Sequence, residues 1–472
     1  MFNYFFKINL FLFLIFFIQF IISNCEDFIT KINGNSNNGK NNYYITLYLD
    51  EQKKPQSFLL DTLGSLISSQ CIFYSSQEQN PEPFMEMTKE KDIINCKNNI
   101  MCSNYPFSSC NKSKCEFEYK YNNSTLKGIY VKKNIAFLEK GESRILPIGC
   151  TLSESNEFLE EEIDGILGIN SDNNSFIELL YKEKIISSKK FSICLNQKDG
   201  GYFSFGQINE NYYNDKKNQK YKNIIPNYIP YNNLEKGNYG LEINSLSIKE
   251  GNNILSNGVK LNCVIDSKSV KTYFNEYIYN NLINEILSYC LGKKGNCKNI
   301  QKIENYGYCS NFKSKQEIIK SINKYWPTII LGFQKYNHTL SPENYFVAYS
   351  SEGKIKACIG LEKTNKDFNI LGTTFLNGYN IIFDNENKKI GFIETNCQFN
   401  ENNIENEDYI NRVFDDPVNI IIVTLSIGGI IILFIILIIL YKILYQKTPT
   451  RKGYVRQVDI NNSTSDFMEN RK

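Results

Sequence analysis

The chain has 472 residues, too many for one small domain and enough for two lobes with appendages. Lysine and arginine number 53 against 50 acidic residues, and a net charge of +3 gives no reason to expect a nucleic-acid partner. Abundant Tyr, Phe, Asn and Ile favour strands and polar loops over a helical bundle.

The N-terminus, MFNYFFKINLFLFLIFFIQFIISNCED, has one early lysine, an apolar run of about fifteen residues and a polar exit near Ser23. This is the layout of a secretory signal peptide over residues 1–24, with an uncleaved anchor as the alternative. After it come short apolar runs broken by Asn, Gly and Lys clusters. YYITLYL, SFLLDT, CEFEYKY, GIYVKKNIAFL, FSICL, GGYFSFG, YGLEINSLSI, KLNCVID and PTIILGF all read as strands. One helical stretch interrupts them, Phe274–Cys290, apolar at every third or fourth position. The fold class expected is therefore all-β with few helices.

Residues 398–417 are acidic and Asn-rich and read as a stalk. Val418–Tyr441 then runs 24 residues without a charge, long enough for one transmembrane helix. Asp415 and Asp416 precede it, while Lys442, Lys447, Arg451, Lys452 and Arg456 follow, which places the tail, 442–472, in the cytosol. The expectation is a single-pass type I membrane protein of the secretory system or cell surface, with its lobes lumenal or extracellular.

All 14 cysteines lie between Cys25 and Cys397, on the oxidising side of that span, and are expected in disulfides. Cys96, Cys102, Cys110 and Cys115 crowd together. Zinc is the rival reading there, but no histidine is near and paired C-x-x-C knuckles are absent. Asn111, Asn122, Asn123, Asn173 and Asn337 open glycosylation sequons on the same side; those at Asn461 and Asn462 would be cytosolic.

The one histidine, His338, restricts the chemistry. A Ser-His-Asp or Cys-His site needs an imidazole beside its nucleophile, whereas His338 sits inside the Asn337 sequon, where it is expected to be exposed and idle. No H-E-x-x-H zinc motif and no Gly-rich phosphate loop after a strand occurs. No metal and no cofactor is expected. Carboxylate chemistry remains, and Asp61 and Asp266 are matched candidates: each ends an apolar run and is followed by a hydroxyl residue, Thr62 or Ser267.

From about Tyr43 to Cys397 the chain resembles the pepsin-like aspartic proteases, in particular their cysteine-rich nepenthesin branch and the membrane-anchored plasmepsins. The resemblance is carried by the two aspartate strands and by DGILGIN (Asp164–Asn170), FSICLNQKDGGYFSFG (Phe191–Gly206), WPTIILGFQKYNHTLSPENYFV (Trp326–Val347) and ILGTTFLNGYNIIFDNENKKIGF (Ile370–Phe392), in the family's order. It implies a bilobed double β-barrel, with an N-terminal lobe over 25–225 and a C-terminal lobe over 226–397. It also implies a peptide or protein substrate, and a flap tyrosine at Tyr121. Asp61 and Asp266 would be the catalytic pair, tied together by Thr62 and Ser267. Two carboxylates about 3 Å apart share one proton; the ionised member would activate water and the protonated one would hydrogen-bond the substrate carbonyl.

The sequence departs from the family where it matters. Ungapped, Leu63 and Lys268 stand where both loops have glycine. Each keeps a backbone N–H for the carboxylate, but glycine also allows positive φ and close approach. Gly64 is a candidate to take over the first turn with Leu63 bulged out. The Lys268 ammonium could fall within ~4–6 Å of the pair and favour its full ionisation, or its stem could carry the charge to solvent. An endopeptidase with an unusual site and a pseudopeptidase that keeps the cleft for binding both remain open, beside a third reading in which the aspartates are ordinary strand ends of an unrelated β-protein. Only 36 positions separate Cys25 from Asp61, so no long inhibitory pro-segment is expected.

Overall fold

The computed structural model describes residues 28–399 except 36–42, 74–84, 88–91, 122–123, 156–162, 198–199, 207, 209–224, 252, 256–257, 294–299, 305, 313 and 352–353; beyond 399 it describes 436, 439 and 440. The expected signal peptide, and most of the expected stalk and membrane span, lie outside the described residues. Among the described residues no helix is long and apolar enough to cross a membrane.

Strand formation follows the alternation in the sequence. In Tyr44–Leu49 the side chains of Ile45, Leu47 and Leu49 are buried while Tyr44, Thr46 and Tyr48 are half-buried. The strand Lys54–Asp61 ends instead in a continuous buried run, Phe58 to Asp61. Such runs suit parallel pairing with cover on both faces, and this strand runs parallel to Gly165–Gly168, with Asp61 opposite Gly168.

A 15-stranded sheet takes in the strands of the N-terminal half and continues into the last described strands. Its connecting portion places Asn227–Pro230, Lys389–Glu394, Tyr379–Asp384, Lys190–Asn196, Gly200–Phe205 and Phe28–Asn33 side by side. The C-terminal half adds a 5-stranded sheet containing Leu261–Ile265 and Asn369–Leu371, and two smaller sheets of 3 and 4 strands. One hydrophobic core runs from Ile32 to Phe392. Aromatic rings bind the connecting strands: Phe191 stacks on Phe383 at 4.5 Å, and Tyr239 packs against Phe383 at 4.6 Å.

The expected helix is present as Glu276–Lys293. Phe176–Lys182 was not anticipated, nor was the longer Lys315–Tyr325. Its start is nonetheless written in Ser314-Lys-Gln-Glu317: the Ser314 hydroxyl accepts from the Glu317 N–H at 3.2 Å, the N-cap half of a capping box.

Among the described residues five disulfides are seen with both partners, Cys71–Cys150, Cys96–Cys110, Cys102–Cys115, Cys194–Cys397 and Cys309–Cys358, whereas Cys263 is a buried free thiol, against the expectation that the cysteines pair. The crowded quartet is thus paired as two crossed bridges that staple an insert ahead of the strand Lys114–Tyr121.

His338 corrects an expectation. Asn337 is exposed, but the next residue on its strand points inward, and His338 is fully buried among Tyr336, Phe375, Tyr379 and Phe392. Nε2 lies 3.2 Å from the Phe375 carbonyl, while Nδ1 is buried without a hydrogen-bond partner. Burial pushes its pKa down to about 3, with the Phe375 carbonyl pulling weakly the other way. The strand's two-residue period decided the matter, and the sequon had no bearing on it.

Candidate active site

Asp61 ends Lys54–Asp61, and Asp266 follows directly on Leu261–Ile265. Each aspartate strand runs parallel to its partner, Leu60 opposite Leu167 and Ile265 opposite Leu371. The Asp266 N–H donates to the Leu371 carbonyl at 3.0 Å, and the Ile169 N–H donates to the Asp61 carbonyl at 2.8 Å. Gly168 is required by space: a Cβ there would lie 2.4 Å from the Ser65 carbonyl carbon. These strands deliver both carboxylates, 0 % and 1 % exposed, to the same place.

Thr62 and Ser267 lock the two loops reciprocally. The Thr62 N–H donates to Ser267 Oγ at 3.1 Å, and the Ser267 N–H donates to Thr62 Oγ1 at 2.9 Å. Each hydroxyl then donates across to the opposite strand, Thr62 to the Ile265 carbonyl at 2.9 Å and Ser267 to the Leu60 carbonyl at 2.6 Å. Both hydroxyls are buried and use donor and acceptor together, so no polar group is left unpaired at the junction.

Asp61 collects four donors. Oδ1 accepts from the N–H groups of Leu63 and Gly64, both at 2.9 Å. Oδ2 accepts from the Tyr119 hydroxyl at 3.1 Å and from the Lys268 ammonium at 2.7 Å. Four donors with no acceptor fit an ionised carboxylate. Asp266 is less charged in its surroundings: Oδ1 accepts from the Lys268 N–H at 3.0 Å and Oδ2 from the Ser269 hydroxyl at 2.7 Å. Burial above all raises its pKa, the Asp61 charge adds to that, and the Lys268 charge, the Ser269 hydroxyl and the Lys268 N–H oppose it. Burial thereby favours the protonated form of Asp266, beside a carboxylate that accepts from four donors.

The departures from the family glycines now have a physical reading. Leu63 and Lys268 both retain the N–H that reaches the neighbouring carboxylate, and neither adopts positive φ. Gly64 makes the close approach: a Cβ on it would stand 2.4 Å from Asp61 Oδ2. The Lys268 stem does not take its charge to solvent. Its side chain is 6 % exposed, and the ammonium rests on Asp61 and 3.5 Å from the Tyr119 hydroxyl.

Tyr119 is the tyrosine that the structure brings to Asp61. It shares a strand with the expected flap residue Tyr121, whose side chain lies outside the described ones. The strand period could have flagged it as inward, like Cys115 and Phe117, but does not by itself choose Tyr119 over Tyr121, which has the same parity. Burial and the Asp61 charge raise the Tyr119 pKa, which keeps its hydroxyl a donor. Ser269 was likewise not singled out from the sequence. A separate cavity of about 470 Å³, lined in part by Ser65, Tyr105, Tyr130, Lys132 and Lys182, includes neither aspartate.

Two family models match in tandem: one described as xylanase inhibitor N-terminal over residues 43–207, the other as xylanase inhibitor C-terminal over 238–394. Together they cover both aspartate strands and their partners. The chain belongs to the pepsin-like aspartic protease family. Plasmepsin V of Plasmodium falciparum is 24 % identical over 429 residues, 76 % of this chain and 71 % of its own. Aspartic proteinase-like protein 1 of Arabidopsis thaliana is 22 % identical, covering 72 % of this chain and 65 % of its own. Aspartic proteinase 36 of the same plant is 25 % identical over 61 % of this chain and 58 % of its own. The names span proteinases and an inhibitor, so membership of this family does not by itself decide between hydrolysis and binding.

Proposed function

We propose that the chain is a membrane-anchored pepsin-like aspartic endopeptidase of the secretory system, acting through Asp61 and Asp266. The observation that carries this reading is the pairing of one carboxylate that collects four donors with a second, buried carboxylate of raised pKa, locked in place by Thr62 and Ser267. The protonated Asp266 would hydrogen-bond the scissile carbonyl oxygen while Asp61 takes a proton from a water whose oxygen bonds to the carbonyl carbon. Transfer of a proton to the leaving nitrogen and cleavage of the C–N bond would release a carboxylic acid and an amine. The uncharged stretch Val418–Tyr441, with basic residues after it, supports the anchor and the orientation.

A second reading, a pseudopeptidase that binds peptides in the cleft, is favoured by one specific contact. The Lys268 ammonium at 2.7 Å and the Tyr119 hydroxyl at 3.1 Å occupy the Asp61 oxygen that would receive the water's proton. The test is cleavage of a peptide library by the full-length protein in detergent from pH 3 to 7, beside Asp61→Asn and Asp266→Asn. Cleavage lost in both variants establishes the enzyme. Cleavage that survives both substitutions rules out the dyad, and its absence from folded wild type leaves the binding reading.

A further inference from the structure

Ser175 carries a hydroxyl that does nothing in the folded chain. It stands at the N-cap of the helix Phe176–Lys182 and is fully buried, yet its Oγ makes no capping hydrogen bond and has no other partner. A serine in that place ordinarily caps its helix. An idle buried hydroxyl costs stability, and alanine would fit the same space without that cost. What Ser175 does do is complete the sequon Asn173-Asn174-Ser175, in which a hydroxyl at the third position is required for a glycan to be attached. The third residues of two other sequons are not idle in this way: Thr339 bonds to the Tyr379 hydroxyl at 2.8 Å, and Ser113 is exposed.

Asn173 itself is exposed, with its carbonyl held by the Lys182 ammonium, and it forms part of the wall of the cavity of about 470 Å³. That volume lies within the range of small-ligand sites, about 300–1,000 Å³. The cavity offers two kinds of surface. Tyr105, stacked on Tyr130 at 4.9 Å, stands with Pro147 and Ile145, the last 67 % exposed, while Asn104 and Lys132 supply an amide and an ammonium. The mixture suits an N-acetylhexosamine, whose ring has an apolar C–H face and whose hydroxyl and acetamido groups need hydrogen-bond partners.

We propose that Asn173 carries an N-linked glycan whose first N-acetylglucosamine lies in this cavity, covering Ile145 and tying the helix Phe176–Lys182 to the stapled insert at Tyr105. The donor is a lipid-diphosphate oligosaccharide: the Asn173 amide nitrogen bonds to the anomeric carbon and loses a proton, and the lipid diphosphate leaves. This rests on the reading that the lobes face the lumen of the secretory system, and it is independent of hydrolysis.

Full-length protein would be made in cells that attach high-mannose glycans and mapped by peptide mass spectrometry at Asn111, Asn173 and Asn337. The Asn173 peptide should carry sugar. On the folded protein PNGase F should release it about tenfold more slowly than any glycan at Asn111 or Asn337, because the sugar must first leave its seat. Denaturation should abolish that difference. Asn173→Gln should lower the unfolding midpoint by about 3 °C. Ser175→Ala loses the same glycan and also the idle hydroxyl, so its midpoint should lie between those of Asn173→Gln and wild type. A bare Asn173 beside a glycosylated Asn111 or Asn337, release at equal rates, or an Asn173→Gln midpoint at the wild-type value would overturn the seat while the lumenal reading stands. If all three asparagines are bare, both fall.

Discussion

Replacing Lys268 with methionine separates the two readings of the site. Methionine keeps an unbranched stem of similar reach and removes the charge. The ion pair is buried on both sides, 6 % and 0 % exposed, with its atoms 2.7 Å apart. Removing one partner of such a pair costs about 3–5 kcal/mol. Asp61 keeps three other donors, from Leu63, Gly64 and Tyr119, which puts the expected loss at the low end, about 3 kcal/mol. If the ammonium must leave Oδ2 before water can be activated, the same 3 kcal/mol is a barrier contribution of about a hundredfold in rate. Lys268→Met should therefore lose about 3 kcal/mol in urea unfolding and cleave a quenched-fluorescence peptide about a hundredfold faster near pH 4–5. A stability loss without faster cleavage would favour the pseudopeptidase. If stability and cleavage both stay at wild-type levels, the Lys268–Asp61 contact has no energetic weight and the argument fails.

Thr62→Val should destabilise by about 2–4 kcal/mol in the same unfolding assay, because it strands the buried Ser267 N–H and the Ile265 carbonyl. The wild-type value would instead show that the lock is dispensable. His338 gives a prediction about pH. The unfolded chain takes its imidazole proton near 6.5 and the folded one only near 3, so the unfolded state binds more protons between those values. The stability contributed by keeping His338 neutral is complete above pH 6.5 and falls by about 1.4 kcal/mol per pH unit on acidification toward 3. His338→Phe should cost about 1 kcal/mol at pH 7 for the lost hydrogen bond and flatten the acid limb of the stability profile. An unchanged limb would mean that His338 is not the group responsible.

Several features were legible because they depend only on neighbours in sequence. Alternating and continuous apolar runs announced the strands, and the Asp-hydroxyl pairs at two strand ends announced two carboxylates that the fold buries together, with their hydroxyl neighbours hydrogen-bonded across the loops. The two partner strands were matched through the family resemblance alone, and the structure sets both against the aspartate strands. The missed helix, Lys315–Tyr325, had both its cap and its period in plain view, with Ile318, Ile319, Ile322 and Tyr325 at helical spacing.

The sequence alone thus determined which groups could do chemistry: two matched carboxylates and a single histidine. Only the tertiary structure decided how they are used. Lys268 and Asp61 are 207 positions apart, and no local pattern says whether a four-carbon stem folds onto a carboxylate or out into water. Burial of the surrounding loops settles that, because a buried ammonium needs an anionic partner and Asp61 is within reach. The same holds for the crossed cysteine pairs and for the meeting of the Tyr119 hydroxyl with Asp61. Each is fixed by which surfaces meet across the fold, and spacing along the chain does not encode that.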